Sequence, residues 1–244
     1  MVYDLHVTKI FLDLGAHIGE SLEIAMKSKY SFDRLLEIEP SSHARKILKK
    51  YRDSRIEILP IGFGSNDKKV ILYGAGSVGA SIHYDKTPWW SKNETVQIVK
   101  FSTWYKSNIK KTDLVYLKIN IEGAENEIID EILLLKDFEI QSVLISFDVE
   151  KVPSLKEMKN ELNDKLNSFK GIKLWRERTK DFQVEEWLDG QTELGKKPTL
   201  KEKFIELMGL KLPFSRSLRK LARPLFPKQI WLYLAIKFGP NRKR

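Results

Sequence analysis

The most constraining feature of this chain is an alternation. Short apolar runs at 9–14, 34–39, 56–63, 114–121 and 142–147 each end at Gly, Pro or a polar group. Between them lie segments with helical spacing at 19–29, 41–51, 124–135 and 155–169. Strands that alternate with helices of this length imply right-handed crossovers and a mainly parallel sheet covered on both faces. The expected fold is therefore α/β, doubly wound and Rossmann-like. Extended segments at 70–73 and 96–101 and a closing antiparallel hairpin from 173–178 and 183–187 complete the expected body. No internal repeat is visible. We expect a domain over 1–195 and a basic helical extension over 196–244.

Ligands of such sheets sit beyond the carboxyl ends of the strands, so those ends carry the functional argument. After the first strand the chain reads Asp13-Leu14-Gly15-Ala16-His17-Ile18-Gly19. The glycines permit a tight turn and close approach of backbone to ligand, with a helix opening just behind. The second strand ends at Glu39, about 20 residues on, where an acid can accept hydrogen bonds from both hydroxyls of a ribose. The three-glycine pyrophosphate pattern of dinucleotide sites is absent. Asp13 beneath the loop would repel a pyrophosphate but would suit an ammonium group. A cofactor with a ribose and a positively charged amino-acid end is S-adenosylmethionine, with Asp13, Gly15, Ala16, Gly19 and Glu39 as its expected binding residues. The alternative for the loop alone is a strand-to-helix turn with no ligand.

The strand at 114–121 delivers Asn120, Glu122 and Glu125 to the same rim, and Gly123 marks the turn into the next helix. Polar groups after an apolar strand are unfavourable unless they serve a ligand or cap the helix. Capping accounts for the two acids but poorly for Asn120 or Lys118.

Three blocks, FLDLGAHIG at 11–19, EIEPSS at 37–42 and LKINIEGAENEI at 117–128, resemble the FkbM-type methyltransferases, a branch of the class I S-adenosylmethionine-dependent enzymes. The resemblance covers roughly residues 9–150. It implies a seven-stranded sheet and O-methylation of a hydroxyl on a sugar, glycan or related small molecule. This chain has Asn120 where the family usually has Asp, and Ser102-Thr103 where it tends to have Leu-Asp. An Asn is no general base. Either Asn120 only positions the acceptor while Glu122 or Asp148 takes the proton, or the chain is a catalytically weak cofactor- or glycan-binding protein. His83 is a further candidate base, against an ordinary surface role. Trp89, Trp90 and Trp104 are candidates for stacking on a sugar or adenine face, or for plain packing. The first strand starts almost at once, so something other than the usual preceding helix is expected to cover the site.

Composition narrows the classes. With 42% hydrophobic and 11% aromatic residues the chain is no disordered polyelectrolyte. It has no cysteine, which removes disulfides, thiolate zinc sites and a cysteine nucleophile. The four histidines show no ligand spacing, and no metal is expected to be needed. Residues 1–15 lack the basic and apolar regions of a signal peptide, and no run approaches the length of a membrane span. We expect a cytoplasmic protein, peripheral on the inner face of the membrane.

The formal net charge of +10 sits at one end: residues 196–244 hold 14 Lys and Arg against Glu202 and Glu206. Segments 200–210, 215–223 and 228–238 each pair an apolar face with basic residues, punctuated by Pro213, Pro224, Pro227 and Pro240. Such segments suit an anionic membrane surface. The alternatives are packing on the body or on a second subunit as a homo-oligomer, or a solvated basic tail. Nucleic acid stands behind these, and RNA-directed methylation is the rival activity, without a recognisable RNA-binding module.

Overall fold

A computed structural model of the chain describes residues 7–86, 92–146, 148–167, 173–177 and 183–190. Six strands form one sheet: β1 (Lys9–Leu14), β2 (Arg34–Ile38), β3 (Ile56–Leu59), β7 (Leu114–Ile119), β8 (Ile140–Ser146) and β9 (Lys173–Glu177). Their order is β3-β2-β1-β7-β8-β9, and every neighbouring pair is parallel. The order reverses between β1 and β7, as a doubly wound sheet requires.

The strands read as nearly continuous apolar runs because both faces are covered. Ile10, Leu12, Leu36, Leu117, Ile119, Val143 and Ile145 point to one side. There they pack on α3 (Phe101–Asn108), α4 (Glu125–Leu133) and α5 (Met158–Asn167). Phe11, Leu35, Tyr116 and Leu144 point to the other. Leu22 of α1 (Glu20–Ala25), Leu48 of α2 (Ser42–Leu48), and Val184 and Trp187 of α6 (Gln183–Leu188) cover that side.

A second sheet of three strands, β4 (Gly62–Gly64), β5 (Lys68–Tyr73) and β6 (Asn93–Lys100), has the order β4-β6-β5. Pro60 explains its separation from β3. The sequence pattern reads 56–63 as one strand, but proline donates no ladder hydrogen bond, and the chain leaves the main sheet there. The small sheet docks through Phe63, whose ring meets Phe101 edge-on at 5.2 Å and Trp104 at 5.0 Å. The Ser65 amide and hydroxyl both donate to Glu127 Oε2 of α4 at 2.9 Å.

Three expectations change. The described residues place six strands in the main sheet, where the family resemblance implies seven. Segments 173–178 and 183–187 are not an antiparallel hairpin: the first holds parallel edge strand β9, the second is helix α6. The apolar positions Val184, Trp187 and Leu188 have helical spacing and pack on β1 and β8. Residue 101 is not the end of a strand but the start of α3, whose first-turn Ser102 amide is capped by buried Glu131 (3.1 Å). The basic segments beyond 196, and Trp89 and Trp90, lie outside the described residues. Among the described residues no helix is long and apolar enough to cross a membrane.

Replacing Phe63 with Ala removes the ring that joins the two sheets. We expect a loss of about 3–5 kcal/mol, the usual magnitude for truncating a buried aromatic, measured by urea unfolding.

Candidate functional site

Three strand ends are laced together. The amides of Gly15 and Ala16 both donate to the carbonyl of Ile38 at the end of β2 (3.0 and 3.1 Å), and the Asn120 amide donates to Leu14 at the end of β1 (2.9 Å). Gly15 has φ +85°, and a Cβ there would lie 2.0 Å from the Asn120 carbonyl oxygen. No other residue type fits. The turn then passes through His17 in left-handed conformation (φ +49°) and closes at Gly19, whose amide donates to Ala16 (2.9 Å). Helix α1 starts at the next residue.

Glu39 is buried, and its two oxygens are divided. Oε1 accepts from the Ser41 amide at 2.7 Å and Oε2 from the His17 amide at 2.9 Å. Each oxygen keeps a second acceptor site. Burial pushes its pKa up to about 7, against the two amides and the charges of His17 and Arg45.

Beneath the turn, Asp13, Glu37 and Lys118 face one another across three strands. Asp13 is in register with Glu37 on β2 and with Lys118 on β7. All three are buried. Lys118 Nζ donates to Asp13 Oδ1 at 2.8 Å and approaches the Gly15 carbonyl at 3.5 Å. The ammonium that the sequence suggests for Asp13 is thus supplied by the chain itself. Burial raises the pKa of Asp13 despite Lys118. Burial, joined by the Asp13 charge, pushes Glu37 well above the usual carboxylate range. Neither oxygen of Glu37 has a hydrogen-bond partner.

The turn after β7 is held from outside. Glu122 has φ +57°, its carbonyl accepts from Ser81 Oγ at 2.6 Å, and its buried carboxylate forms an ion pair with Lys86. Gly123 has φ +118°, and its amide donates to Glu125 Oε1 at 3.0 Å. A Cβ on Gly123 would meet the His83 ring at 2.8 Å.

These turns enclose a cleft of about 970 Å3, its open mouth included. Of the residues singled out from sequence, Gly15, Glu39, Asn120 and Glu122 line it together. Asp13, Ala16 and Gly19 build the turn behind it. Asp148 does not line the cleft. It is buried, accepts from Ser146 Oγ at 3.3 Å and pairs with Lys151. His83 packs outside against Gly123, and burial lowers its pKa. Trp104 belongs to the aromatic cluster around Phe63 rather than to the rim.

Sequence reasoning missed two liners, His17 and Glu20, and the wall formed by Gly76, Ser77, Val78, Ala80 and Ile82. His17 Nδ1 hydrogen-bonds Glu20 Oε1 at 3.0 Å. Burial opposes charge on the ring, but the Glu20 hydrogen bond and the charges of Glu20 and Glu39 prevail, and its pKa is raised. Glu20 is lowered in turn: burial would raise it, and His17 more than offsets that. The sequence carries no signal for His17, because its left-handed backbone and its contacts with Glu20 and Glu39 exist only in the fold.

A glycine turn after β1, an acid after β2 and a polar turn after β7, all at the switch point of a parallel sheet, define a methyltransferase-like α/β fold. The chain belongs to the FkbM methyltransferase domain family, which it matches over residues 13–170. A solved structure described as methyltransferase FkbM from Methylobacillus flagellatus KT is similar at 23% identity, with a TM-score of 0.33. The match covers 53% of this chain and 31% of that one. A comparison with curated proteins finds no match.

The raised pKa of Glu37 sets a pH dependence. The folded chain keeps a proton there that the unfolded chain releases near the ordinary value of 4.5, so stability falls as pH rises above that value. We expect Glu37→Gln to match the wild type at pH 4.5. Above pH 5 it should lose less stability than the wild type as pH rises. Urea unfolding across that range is the measurement.

Proposed function

We propose that the chain is an S-adenosylmethionine-dependent O-methyltransferase acting on a hydroxyl of a sugar, glycan or related small molecule. One observation carries the reading: a ribose-type acid, Glu39, and the polar turn holding Asn120 and Glu122 line the same cleft. The residues present suit such a cofactor. Glu39 keeps acceptor sites for two hydroxyls, and Asn120 Oδ1 is buried with no hydrogen-bond partner.

When bound, the cofactor supplies an electrophilic methyl group on a sulfonium. The chain's own part is to hold the acceptor oxygen in line and to exclude water. Asn120 orients, since its unpartnered Oδ1 accepts a hydrogen bond from a cofactor ammonium or an acceptor hydroxyl. Glu122, a carboxylate of the cleft, would take the proton of the acceptor hydroxyl. Asp148 is a poorer choice because it does not line the cleft. Lys86 and Ser81 hold Glu122 in its left-handed conformation, a strain of the kind that gathers at functional sites. The sugar or glycan acceptor follows from the family resemblance.

The test is calorimetry with S-adenosylmethionine, followed by turnover with a pool of glycan acceptors. Glu39→Ala should weaken cofactor binding by about 1–3 kcal/mol, the loss of charge-assisted hydrogen bonds to ribose. Unchanged affinity in this variant would contradict the cofactor reading. Binding without turnover on any acceptor would favour a cofactor-binding protein.

We also propose that residues 196–244 attach the protein to an anionic membrane surface, on the strength of their charge excess and apolar faces. Each basic residue near such a surface contributes about 1 kcal/mol, so attachment should be salt-sensitive. The full chain should co-sediment with anionic vesicles at low salt and be released at high salt. A chain ending at Gly195 should stay in the supernatant, and equal sedimentation of the two would refute the assignment.

A further inference from the structure

Beside the cleft, α2 and the turn that ends it carry positive charge that no described residue neutralises. Residues 40–52 hold five basic residues, Arg45, Lys46, Lys49, Lys50 and Arg52, and no acid. Arg45 is engaged, since its guanidinium donates to the carbonyls of Glu39 and Pro40 at 2.8 and 2.6 Å. Lys46, Lys49, Lys50 and Arg52 are exposed, and none forms an ion pair with a described residue. The acids that flank this segment are taken by other groups. Asp53 accepts from Arg55 at 2.6 Å and Glu57 from Arg34 at 2.8 Å. Glu94 accepts from the Ser42 amide at 3.0 Å and Glu23 from the Tyr51 hydroxyl at 2.8 Å.

The charged stripe has a direction. His43, Lys46 and Lys50 follow one another at helical spacing, with Lys49 beside them. The first of them packs on the cleft wall: a Cβ on Gly76, which lines the cleft, would meet the His43 ring at 2.9 Å. From His43 to Lys50 the stripe runs about 10 Å at the helical rise. Inside the cleft the sign is opposite. Glu20, Glu39 and Glu122 line it, and the Lys118 ammonium is held by Asp13 at 2.8 Å. Exposed charges are screened beyond about 8 Å at physiological salt, so the lysines act on what lies along the helix rather than on what enters the cleft. Together the two surfaces fit a ligand with an uncharged unit in the cleft and anionic units running out from it along α2.

The kind of polyanion follows from what the stripe lacks. Membrane surfaces are gripped by apolar side chains as well as by charge, and single-stranded nucleic acid by aromatic rings that stack on bases. The large apolar side chains exposed among the described residues are Val7, Ile71, Tyr84, Leu133 and Leu134, and none of them is on α2. A row of ammonium groups without such anchors suits the spaced carboxylates of an acidic glycan.

We propose that the acceptor is an acidic glycan, held by its charged units at Lys46, Lys49 and Lys50 while a neutral unit presents its hydroxyl to the cleft. This rests on the glycan methyltransferase reading given above and narrows its substrate class.

The experiment is acetylation footprinting of the full chain at about 0.15 M salt, read at each lysine by mass spectrometry, with oligogalacturonate as the probe. Uncharged dextran oligosaccharides, phosphatidylglycerol vesicles and single-stranded DNA are the comparisons. Oligogalacturonate should slow acetylation of Lys46, Lys49 and Lys50 severalfold, and dextran should slow none of them. Exposed Lys110 and Lys111, which lead into β7 at the opposite end of the strands from the cleft, should be unchanged. Combining Lys46→Glu, Lys49→Glu and Lys50→Glu should weaken oligogalacturonate binding about tenfold by calorimetry, with affinity for S-adenosylmethionine unchanged.

Protection confined to lysines beyond residue 196 overturns the assignment. So does equal protection of the three lysines by vesicles or DNA, because the stripe would then be a general polyanion surface. Slow acetylation of the three in the free chain overturns it too, since they would be covered. Failure of the wild type to bind S-adenosylmethionine is a distinct result: it removes the cofactor reading, while protection by oligogalacturonate would still establish α2 as a glycan-binding surface.

Discussion

The site depends on a close approach of two backbones. The glycine turn after β1 runs so near the end of β7 that a single carbon at position 15 would overlap the Asn120 carbonyl oxygen. That approach brings Asn120 and Glu122 into the same cleft as His17 and Glu39. The hydrogen bonds from residues 15 and 16 to Ile38, and from Asn120 to Leu14, fix the three strand ends as one unit. A methyl group at position 15 would therefore do more than strain one residue, since it would push β7 away from β1 at the wall of the cleft.

Below that unit lies a second constraint, electrostatic rather than steric. Lys118, Asp13 and Glu37 form a buried row with one cation and two acids. The row approaches neutrality only if one acid keeps its proton, and Glu37, without a hydrogen-bond partner, is that acid. Charge in a low-dielectric interior is tolerated when paired. The Lys118 ammonium also reaches toward the Gly15 carbonyl, so the row supports the turn above it.

Much of this was legible in the sequence, and the limits have physical causes. The strands and most helices follow from periodicity, and the glycine turn, Glu39 and Asn120 follow from what stands at the strand ends. Glu37 was read as part of a strand. Its importance comes from the register that places it beside Asp13, and register is invisible in one chain. Asp13 was read as a partner for the ammonium group of a cofactor, but Lys118, 105 residues away, engages it instead, and only the fold shows that. The helix at 183–188 was mistaken for a strand because six residues hold too few turns to separate a period of 3.6 from a period of 2. His17 was passed over because the histidines were weighed only for metal-ligand spacing, and its contacts with Glu20 and Glu39 exist only in the fold.

The cleft has two walls of different origin. The main sheet supplies the charged and polar wall, whose geometry is fixed by ladders, ion pairs and a glycine contact. The small sheet and its connecting segment supply the other, with Leu72, Val78, Ala80, Ile82 and Ile98. Those side chains are apolar, so changing their size alters the volume and outline of the cleft without touching a charge of the other wall. Substitutions there are filtered only by packing, whereas substitutions at Gly15, Asp13 or Lys118 disturb the polar wall itself. Changes in the outline of such a cleft would thus accumulate on the small sheet, leaving the polar half to drift far more slowly.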